Sequence, residues 1–108
     1  MHPSRCPSPG DAHQLLDLPN VGPHSADDLI QLGITEPQQL AGRDPFQLYQ
    51  ELCRITGQRQ DPCVLDVLIS AVRYIDGEGA KSWWTYTAER KALLTGAELF
   101  GQPPAKAS

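Results

Sequence analysis

Apolar residues recur along the chain in short stretches with helical spacing, and glycine, proline and capping residues separate the stretches. The longest stretch begins at Asp61-Pro62 and ends at Gly77 and Gly79. Its apolar positions form one broad surface, made by Val64, Leu65, Leu68, Ile69, Val72 and Ile75. We therefore predict that this stretch is the central core helix of an all-α domain.

Two further helices have clear start and stop signals. Gly22-Pro23 starts a helix that Gly33 ends, and Asp44-Pro45 starts another that runs to about Thr56, before Gly57. Proline suits the first helical position because its missing N–H would have no partner in the helix there. An aspartate before the proline accepts unpaired N–H groups of the first turn.

Two shorter helices are predicted from weaker signals. Asp11 can cap a first helix, which Pro19 stops. Thr35 with Gln38 has the form of a capping box, and it predicts a short helix through Leu40.

The last helix holds Glu89 to Leu94, but the pattern leaves its start open. It begins near Ser82 or near Thr87, because the aromatic and threonine residues at 83–87 fit a strand nearly as well as a helix.

The chain has 108 residues, which leaves room for one small single domain. Residues 1–10 hold three prolines and a glycine, and residues 101–108 hold two adjacent prolines. We predict that both ends are flexible tails and that the folded domain spans residues 11–100.

The composition is that of an ordinary globular protein, with 40% hydrophobic and 20% charged residues. No apolar run approaches the roughly 18 residues of a membrane-spanning helix, and residues 1–10 lack the apolar centre of a secretory signal. We expect a cytoplasmic protein without a membrane partner. The net charge of −4 gives no general attraction to nucleic acid, so any such binding must come from local geometry.

The most informative segment is residues 18–33, which reads LPNVGPHSADDLIQLG. It resembles the helix-hairpin-helix motif, whose usual form is LPGVGPKTA followed by an apolar helix and Leu-Gly-Ile. The matching positions are Leu18, Pro19, Val21, Gly22, Pro23, Ala26, Leu29, Leu32, Gly33 and Ile34. The resemblance implies two short helices joined by a very tight turn.

In that motif the turn exposes backbone N–H groups at the start of the second helix, and these hold a DNA phosphate without reading the base sequence. The resemblance assigns phosphate contacts to the amides of Val21, Gly22, His24 and Ser25. Pro23 has no N–H and only shapes the site. The hairpin carbonyls of the motif can also hold a monovalent cation, and no other cofactor is implied.

The segment departs from the motif at two places. Asn20 stands where the first glycine is usual, and asparagine tolerates left-handed geometry but adds a side chain to the turn. His24 stands where lysine or arginine is common, and Asp27 and Asp28 follow it. These acids repel a phosphate unless they point away, and about 100 degrees separates them around a helix, so at least one can do so.

Helix-hairpin-helix motifs often occur in pairs, and a second start signal, Asp61-Pro62, follows Gly22-Pro23 by 39 residues. Residues 35–42 would connect the two copies. The second loop, residues 56–60, lacks the Gly-x-Gly-Pro pattern, so we predict a degenerate copy. It carries Arg59, which we take as a candidate phosphate contact.

The resemblance extends beyond the hairpin. Residues 18–34, 44–72 and 83–91, in that order, resemble the small bacterial family labelled "pathogenicity locus", whose members are also described as mitomycin-resistance proteins. This resemblance covers roughly residues 14–92. Such names record genetic context rather than a biochemical activity, so the functional prediction rests on the hairpin.

A second candidate surface lies near the C-terminal end, where Trp83, Trp84 and Tyr86 precede Arg90 and Lys91. Aromatic rings combined with positive charge are typical of grooves that bind single-stranded nucleic acid. The alternative is that at least one tryptophan covers the core of this small domain while the two basic residues are solvated.

The odd count of three cysteines favours reduced thiols over a disulfide framework. Cys53 and Cys63 flank the second loop and could bind a metal or form a redox pair, although no CxxC spacing exists and buried small side chains explain them as well. No P-loop, GxSxG or HExxH motif is present, so we expect a protein that is not an enzyme.

Together these observations predict weak, sequence-independent binding of a nucleic-acid backbone, DNA in first place, by the hairpin with Arg59, Arg90 and Lys91. The alternative is a protein-interaction or accessory module in which the hairpin is structural only, and the acidic net charge favours it. A redox or metal-dependent enzyme that uses Cys53 and Cys63 is the third hypothesis.

Overall fold

The computed structural model describes residues 1–99, and of residues 96–99 it describes the backbone alone. This part of the chain contains four α-helices: α1 (Pro23–Gln31), α2 (Pro45–Thr56), α3 (Pro62–Ile75) and α4 (Thr87–Leu99). Single turns of 3₁₀ helix lie at Pro3–Arg5, Pro9–Asp11, Leu15–Asp17, Pro37–Leu40 and Trp83–Tyr86. Residues 1–99 contain no β-strand, which confirms the all-α prediction. The predicted C-terminal tail, residues 101–108, lies outside the described residues.

The Asp-Pro signals start their helices where the sequence predicts. The Asp44 carboxylate accepts a hydrogen bond of 2.9 Å from the amide of Phe46, and Asp61 accepts one of 2.8 Å from the amide of Cys63. Gly57 ends α2 with a φ of +71°, a left-handed conformation that glycine adopts without a steric penalty. Because these signals act within a few residues, the pattern alone is enough to find them.

The predicted first helix is wrong. Residues 15–17 form one 3₁₀ turn, and the chain is extended again at Leu18, which has a ψ of 144°. The residue before a proline is pushed out of the helical region, so Pro19 ends the turn before a helix can form. The Asp17 carboxylate accepts hydrogen bonds from the amides of His13 and Gln14, at 3.0 and 3.2 Å, and this closes the turn on itself.

The capping box predicted for Thr35 with Gln38 is wrong by one residue, because the N-cap is Glu36 and its partner is Gln39. Gln39, not Gln38, reaches back, and its side-chain oxygen accepts from the amides of Thr35 and Glu36 at 2.6 and 2.9 Å. The Gln38 amide group instead donates to the carbonyl of Ala12 at 2.8 Å. The helix that follows is the short Pro37–Leu40 turn.

The start of the last helix is now defined. Trp83–Tyr86 forms a 3₁₀ turn that runs directly into α4 at Thr87, so the strand alternative for residues 83–87 is wrong. The turn and α4 both pack against α3.

Helix α3 lies at the centre of the molecule and contacts α2, α4, the Pro37–Leu40 turn and the Trp83–Tyr86 turn. Four of its six predicted core residues are buried, namely Leu65, Leu68, Ile69 and Val72. The other two, Val64 and Ile75, are half-buried and pack against the hydrophobic core. The prediction of a central core helix is confirmed. The buried hydroxyl of Tyr49 on α2 donates to the carbonyl of Gln60 at 2.6 Å, which ties α2 to the loop before α3.

Residues 1–10 make contacts with the domain that the sequence does not predict. Cys6 packs against the hydrophobic core, and the buried Tyr74 hydroxyl of α3 donates to the carbonyl of Pro7. The Gln38 side chain also donates to the carbonyl of Pro9 at 3.3 Å. Carbonyl groups of a proline-rich segment are available as acceptors, and this polar anchoring leaves no trace in an apolar pattern.

Candidate functional site

The turn between residues 18 and 22 is very tight. The Val21 amide donates to the carbonyl of Leu18 at 3.3 Å, and Asn20 has a φ of +64°. Asparagine is one of the few residues with a side chain that adopts this left-handed conformation readily. The turn therefore forms with Asn20 in the place that glycine has in the resembled motif.

The Asn20 side chain ties the turn to two distant parts of the chain. Its amide nitrogen donates to the Ser70 hydroxyl on α3 at 3.0 Å and to the carbonyl of Lys81 at 2.8 Å. Sequence reasoning missed this role, because no local pattern links residues so far apart in the chain.

The first turn of α1 leaves backbone donors available. Among the described residues, no hydrogen-bond partner is present for the amides of Gly22, His24 and Ser25, while Ala26 donates to the carbonyl of Gly22 at 2.9 Å. The predicted fourth donor, the Val21 amide, is occupied by Leu18. The site thus offers three of the four predicted amides.

Gly22 itself is not required by the backbone. Its φ is −102°, which any residue adopts, and a Cβ built there meets no atom within 4 Å. Any demand for glycine at this position would therefore come from something outside the folded chain.

Two carbonyl groups of the turn accept hydrogen bonds from Met1. The Met1 amino group donates to Leu18 at 3.0 Å and to Val21 at 2.6 Å, and the Asn20 amide donates back to the Met1 carbonyl at 2.7 Å. Burial lowers the pKa of this amino group. These carbonyls are where the resembled motif places a monovalent cation.

The two acidic residues near the turn differ in exposure. Asp28 is buried and Asp27 is exposed, but an Asp28 carboxylate oxygen lies 4.0 Å from Nε2 of His24, so Asp28 stays beside the first turn of α1 and does not point away from it. Burial raises the pKa of the Asp28 carboxyl above its usual value.

The turn and the C-terminal aromatic residues line one groove, with a volume of about 340 Å³. Its lining residues are Met1, His2, Pro3, Asn20, Val21, Gly22, Ser82, Trp83 and Trp84. The Trp84 ring is 63% exposed, whereas Trp83 is half-buried. The ring centroids are 5.7 Å apart and the planes meet at 81°. Two segments that the sequence marks separately are therefore neighbours, and sequence reasoning missed the contributions of His2, Pro3 and Ser82.

Arg90 does not stand beside Lys91 as a second solvated cation. Its Nε donates to the buried carboxylate of Asp66 at 2.9 Å, and the Thr87 hydroxyl donates to the other carboxylate oxygen at 2.9 Å. Only 15% of the Arg90 side chain is exposed, and its guanidinium group pairs with the buried Asp66 carboxylate. Lys91, by contrast, is exposed.

The second loop differs from the first in how its helix begins. The Asp61 carboxylate already occupies the Cys63 amide, so a phosphate there would meet a negative charge and an engaged donor. Arg59 is exposed and lies near the Tyr49 hydroxyl. Arg54, the other basic residue nearby, pairs with Glu51.

In the described part of the chain, no group of three or more histidine, cysteine, aspartate or glutamate side chains is placed to hold a metal ion. Cys53 is buried, and its sulfur accepts a hydrogen bond of 3.3 Å from the amide of Gln60. Burial, with the neighbouring Asp61, raises the pKa of the Cys63 thiol. Cys53 is thus buried and Cys63 is half-buried, in line with the alternative that these are small side chains packed in the domain.

Within residues 1–99 no helix has the length and apolar character needed to cross a membrane.

Comparison with known proteins gives two matches. The family model Cdd1, described as "Pathogenicity locus", matches residues 9–92. The chain is also 48% identical over 86 residues to "Mitomycin resistance protein McrB" from Streptomyces lavendulae, which covers 80% of this chain and 82% of the relative. No solved structure matches the chain. The matched region contains the tight turn, all of α1 to α3 and the tryptophan pair, and the chain belongs to the Cdd1 pathogenicity locus family.

Proposed function

We propose that this protein binds the phosphate backbone of nucleic acid, DNA in first place, through a helix-hairpin-helix turn at residues 18–33, without reading base sequence and without catalysis. The observation that carries the proposal is the start of α1, where the amides of Gly22, His24 and Ser25 have no partner among the described residues. Consecutive N–H groups at a helix start favour an anion, since the helix dipole adds to their partial charges.

The three α-helices that begin with proline support this choice by contrast. Asp44 and Asp61 cap α2 and α3 with their carboxylates, whereas α1 begins at Gly22 with no side-chain cap. An external anion at α1 would take the place that a carboxylate holds at the other two helices. The second helical hairpin, α2 with α3, remains in the proposal as a degenerate copy that contributes Arg59.

The charge around the start of α1 is compatible with a phosphate. Asp28 is buried, and burial raises the pKa of its carboxyl, which disfavours a negative charge there, while Asp27 remains as the exposed acid. The proposal leaves Arg90 out of the phosphate contacts because its Nε is engaged by Asp66, and it retains Lys91. Binding through three amides and few cations is weak, so we expect detection at low salt.

The test is fluorescence-anisotropy titration of labelled single-stranded and double-stranded DNA with the full chain, at about 50 mM and about 200 mM salt. We expect affinity to fall severalfold at the higher salt. In Gly22→Val the side chain blocks close approach of a phosphate, and we expect binding at least tenfold weaker.

Gly10→Val is the matched control, because a Cβ at Gly10 also meets no atom within 4 Å and Gly10 lies outside the turn. It should bind as the wild type does. Equal binding by Gly22→Val and Gly10→Val would place any nucleic-acid contact elsewhere. No binding at either salt would favour the alternative, a protein-interaction module in which the hairpin is structural.

The relative's name supports a cellular setting for the proposal. The Streptomyces lavendulae protein is named for mitomycin resistance, and we propose that this chain acts in the same setting. Expression in a mitomycin-sensitive bacterium should raise survival for the wild type and for Gly10→Val. If Gly22→Val raises survival as much as the wild type does, resistance does not depend on the turn.

A further inference from the structure

The groove between the tight turn and the tryptophan pair contains features that phosphate binding does not use. Its lining includes Trp84, the most exposed large hydrophobic side chain among the described residues. The planes of the Trp83 and Trp84 rings meet at 81°, so Trp83 does not stack on Trp84. With 63% of the residue exposed, much of the Trp84 surface is available to a flat partner.

The groove is also less acidic than the rest of the molecule. The chain has a net charge of −4, yet no aspartate or glutamate occurs among the groove's lining residues. Lys81 comes immediately before Ser82 of the lining, is exposed, and has no ion pair among the described residues. The charge at this place therefore suits an anionic ligand.

We propose that the groove binds one unpaired nucleotide of a single strand, with its base stacked on Trp84 and its phosphate towards Gly22. This inference rests on the proposed phosphate-binding function, and it adds the class of nucleic acid. A base inside a duplex has both faces covered by its neighbours, whereas an unpaired base has faces available for an aromatic side chain. A volume of about 340 Å³ lies at the lower end of small-ligand sites, which span roughly 300–1,000 Å³.

The arrangement predicts no base preference. The lining offers an aromatic face, which every base can use, and the phosphate donors are backbone amides of Gly22, His24 and Ser25. Asn20 links the two sides of the groove, the turn and the segment with Trp83 and Trp84. Its side chain donates to the carbonyl of Lys81, which precedes Ser82 of the lining.

The test compares three labelled probes of equal length at about 50 mM salt: an oligothymidylate, the same strand with abasic residues throughout, and a blunt duplex. We expect the full chain to bind the oligothymidylate about tenfold more tightly than the abasic strand or the duplex. Trp84→Ala should lower affinity for the oligothymidylate to that for the abasic strand, and Trp84→Phe should recover part of the loss. Because Trp84 is exposed, these variants are expected to fold, and circular dichroism verifies it.

Ile30→Ala is the matched control, since Ile30 is another exposed apolar residue, 53% exposed, and does not line the groove. It should leave all three affinities unchanged. Equal affinity for the three probes, unchanged in Trp84→Ala, overturns this inference while leaving phosphate binding in place. The absence of binding to any probe overturns both proposals and turns attention to a protein partner.

Discussion

Arg90 Nε lies 2.9 Å from Oδ1 of Asp66, and the Asp66 side chain is fully buried. The pair joins α4 to α3, and the Thr87 hydroxyl binds the second carboxylate oxygen. A buried carboxylate is tolerated in a fold only when its charge and lone pairs are satisfied. The position of α4 on the core therefore depends on a charged contact as well as on the apolar packing of Leu93 and Leu94.

Removing one member of this pair should destabilise the domain. We expect Arg90→Met to lower the free energy of unfolding by about 3 kcal/mol, because it leaves the buried Asp66 carboxylate without its cationic partner. Urea denaturation followed by circular dichroism measures the change. The double variant Asp66→Leu with Arg90→Met should recover most of the loss, since it removes both charges together. Lys91→Met, at the exposed neighbouring position, is the control; a loss no larger than in that control would show that the ion pair contributes nothing.

Asp28 should weaken the fold at neutral pH. Burial raises the pKa of its carboxyl, so the folded chain holds the proton more tightly than the unfolded chain does. The stability that this gives is complete below the ordinary aspartate pKa of about 3.9 and is lost as the pH rises through the folded-state value.

We therefore expect Asp28→Asn to unfold at higher urea than the wild type at about pH 7, with the difference shrinking as the pH falls below about 4. The control is Asp27→Asn, at the exposed neighbour, for which we expect little change. A less stable Asp28→Asn protein at pH 7 would mean that attraction to His24 outweighs the cost of burial.

Asn20 should matter for stability in two separable ways. Asn20→Ala removes the hydrogen bonds to Ser70 and Lys81 and also places an ordinary residue at a φ of +64°. We expect a loss of about 2–3 kcal/mol in thermal or urea unfolding. Asn20→Gly loses the same bonds without the backbone strain, so its loss should be about 1 kcal/mol smaller. A glycine variant as stable as the wild type would show that the two bonds carry no net stability.

Cys63 should react slowly with alkylating reagents. Burial and then Asp61 raise the pKa of the thiol, so the reactive thiolate is scarce near pH 7. Peptide mapping after iodoacetamide treatment should show severalfold slower alkylation of Cys63 in the folded chain than in urea at the same pH. Faster alkylation in the folded chain would indicate an activated thiol and would favour the redox hypothesis.

The sequence predicts best where the physical cause is local. The helix starts at Asp44 and Asp61 and the end at Gly57 follow from side-chain caps and one glycine, all within a few residues of the element they define. The first helix was predicted wrongly although its stop signal is local too: Pro19 keeps Leu18 extended, and of the apolar residues there Leu15 and Leu18 are buried while Leu16 is 43% exposed.

The candidate site was predictable in its parts and not in its assembly. The turn and the tryptophan pair are visible as motifs, yet their shared groove depends on a bond between residues 20 and 81. The predicted phosphate contact of Arg90 required a guanidinium group available to a ligand, and its partner Asp66 looks like any polar position of a helix. Contacts between distant residues do not follow from periodicity or from caps.

The hydrogen bond from Asn20 to the carbonyl of Lys81 joins two sides of the groove that are synthesised at different times. Synthesis delivers the turn first, and the opposite wall at Trp83 and Trp84 emerges more than sixty residues later. Closing so long a segment has an entropic cost that α3 must offset by packing beforehand. A nascent chain that has not yet reached Trp84 therefore lacks one side of the groove and cannot bind a ligand there.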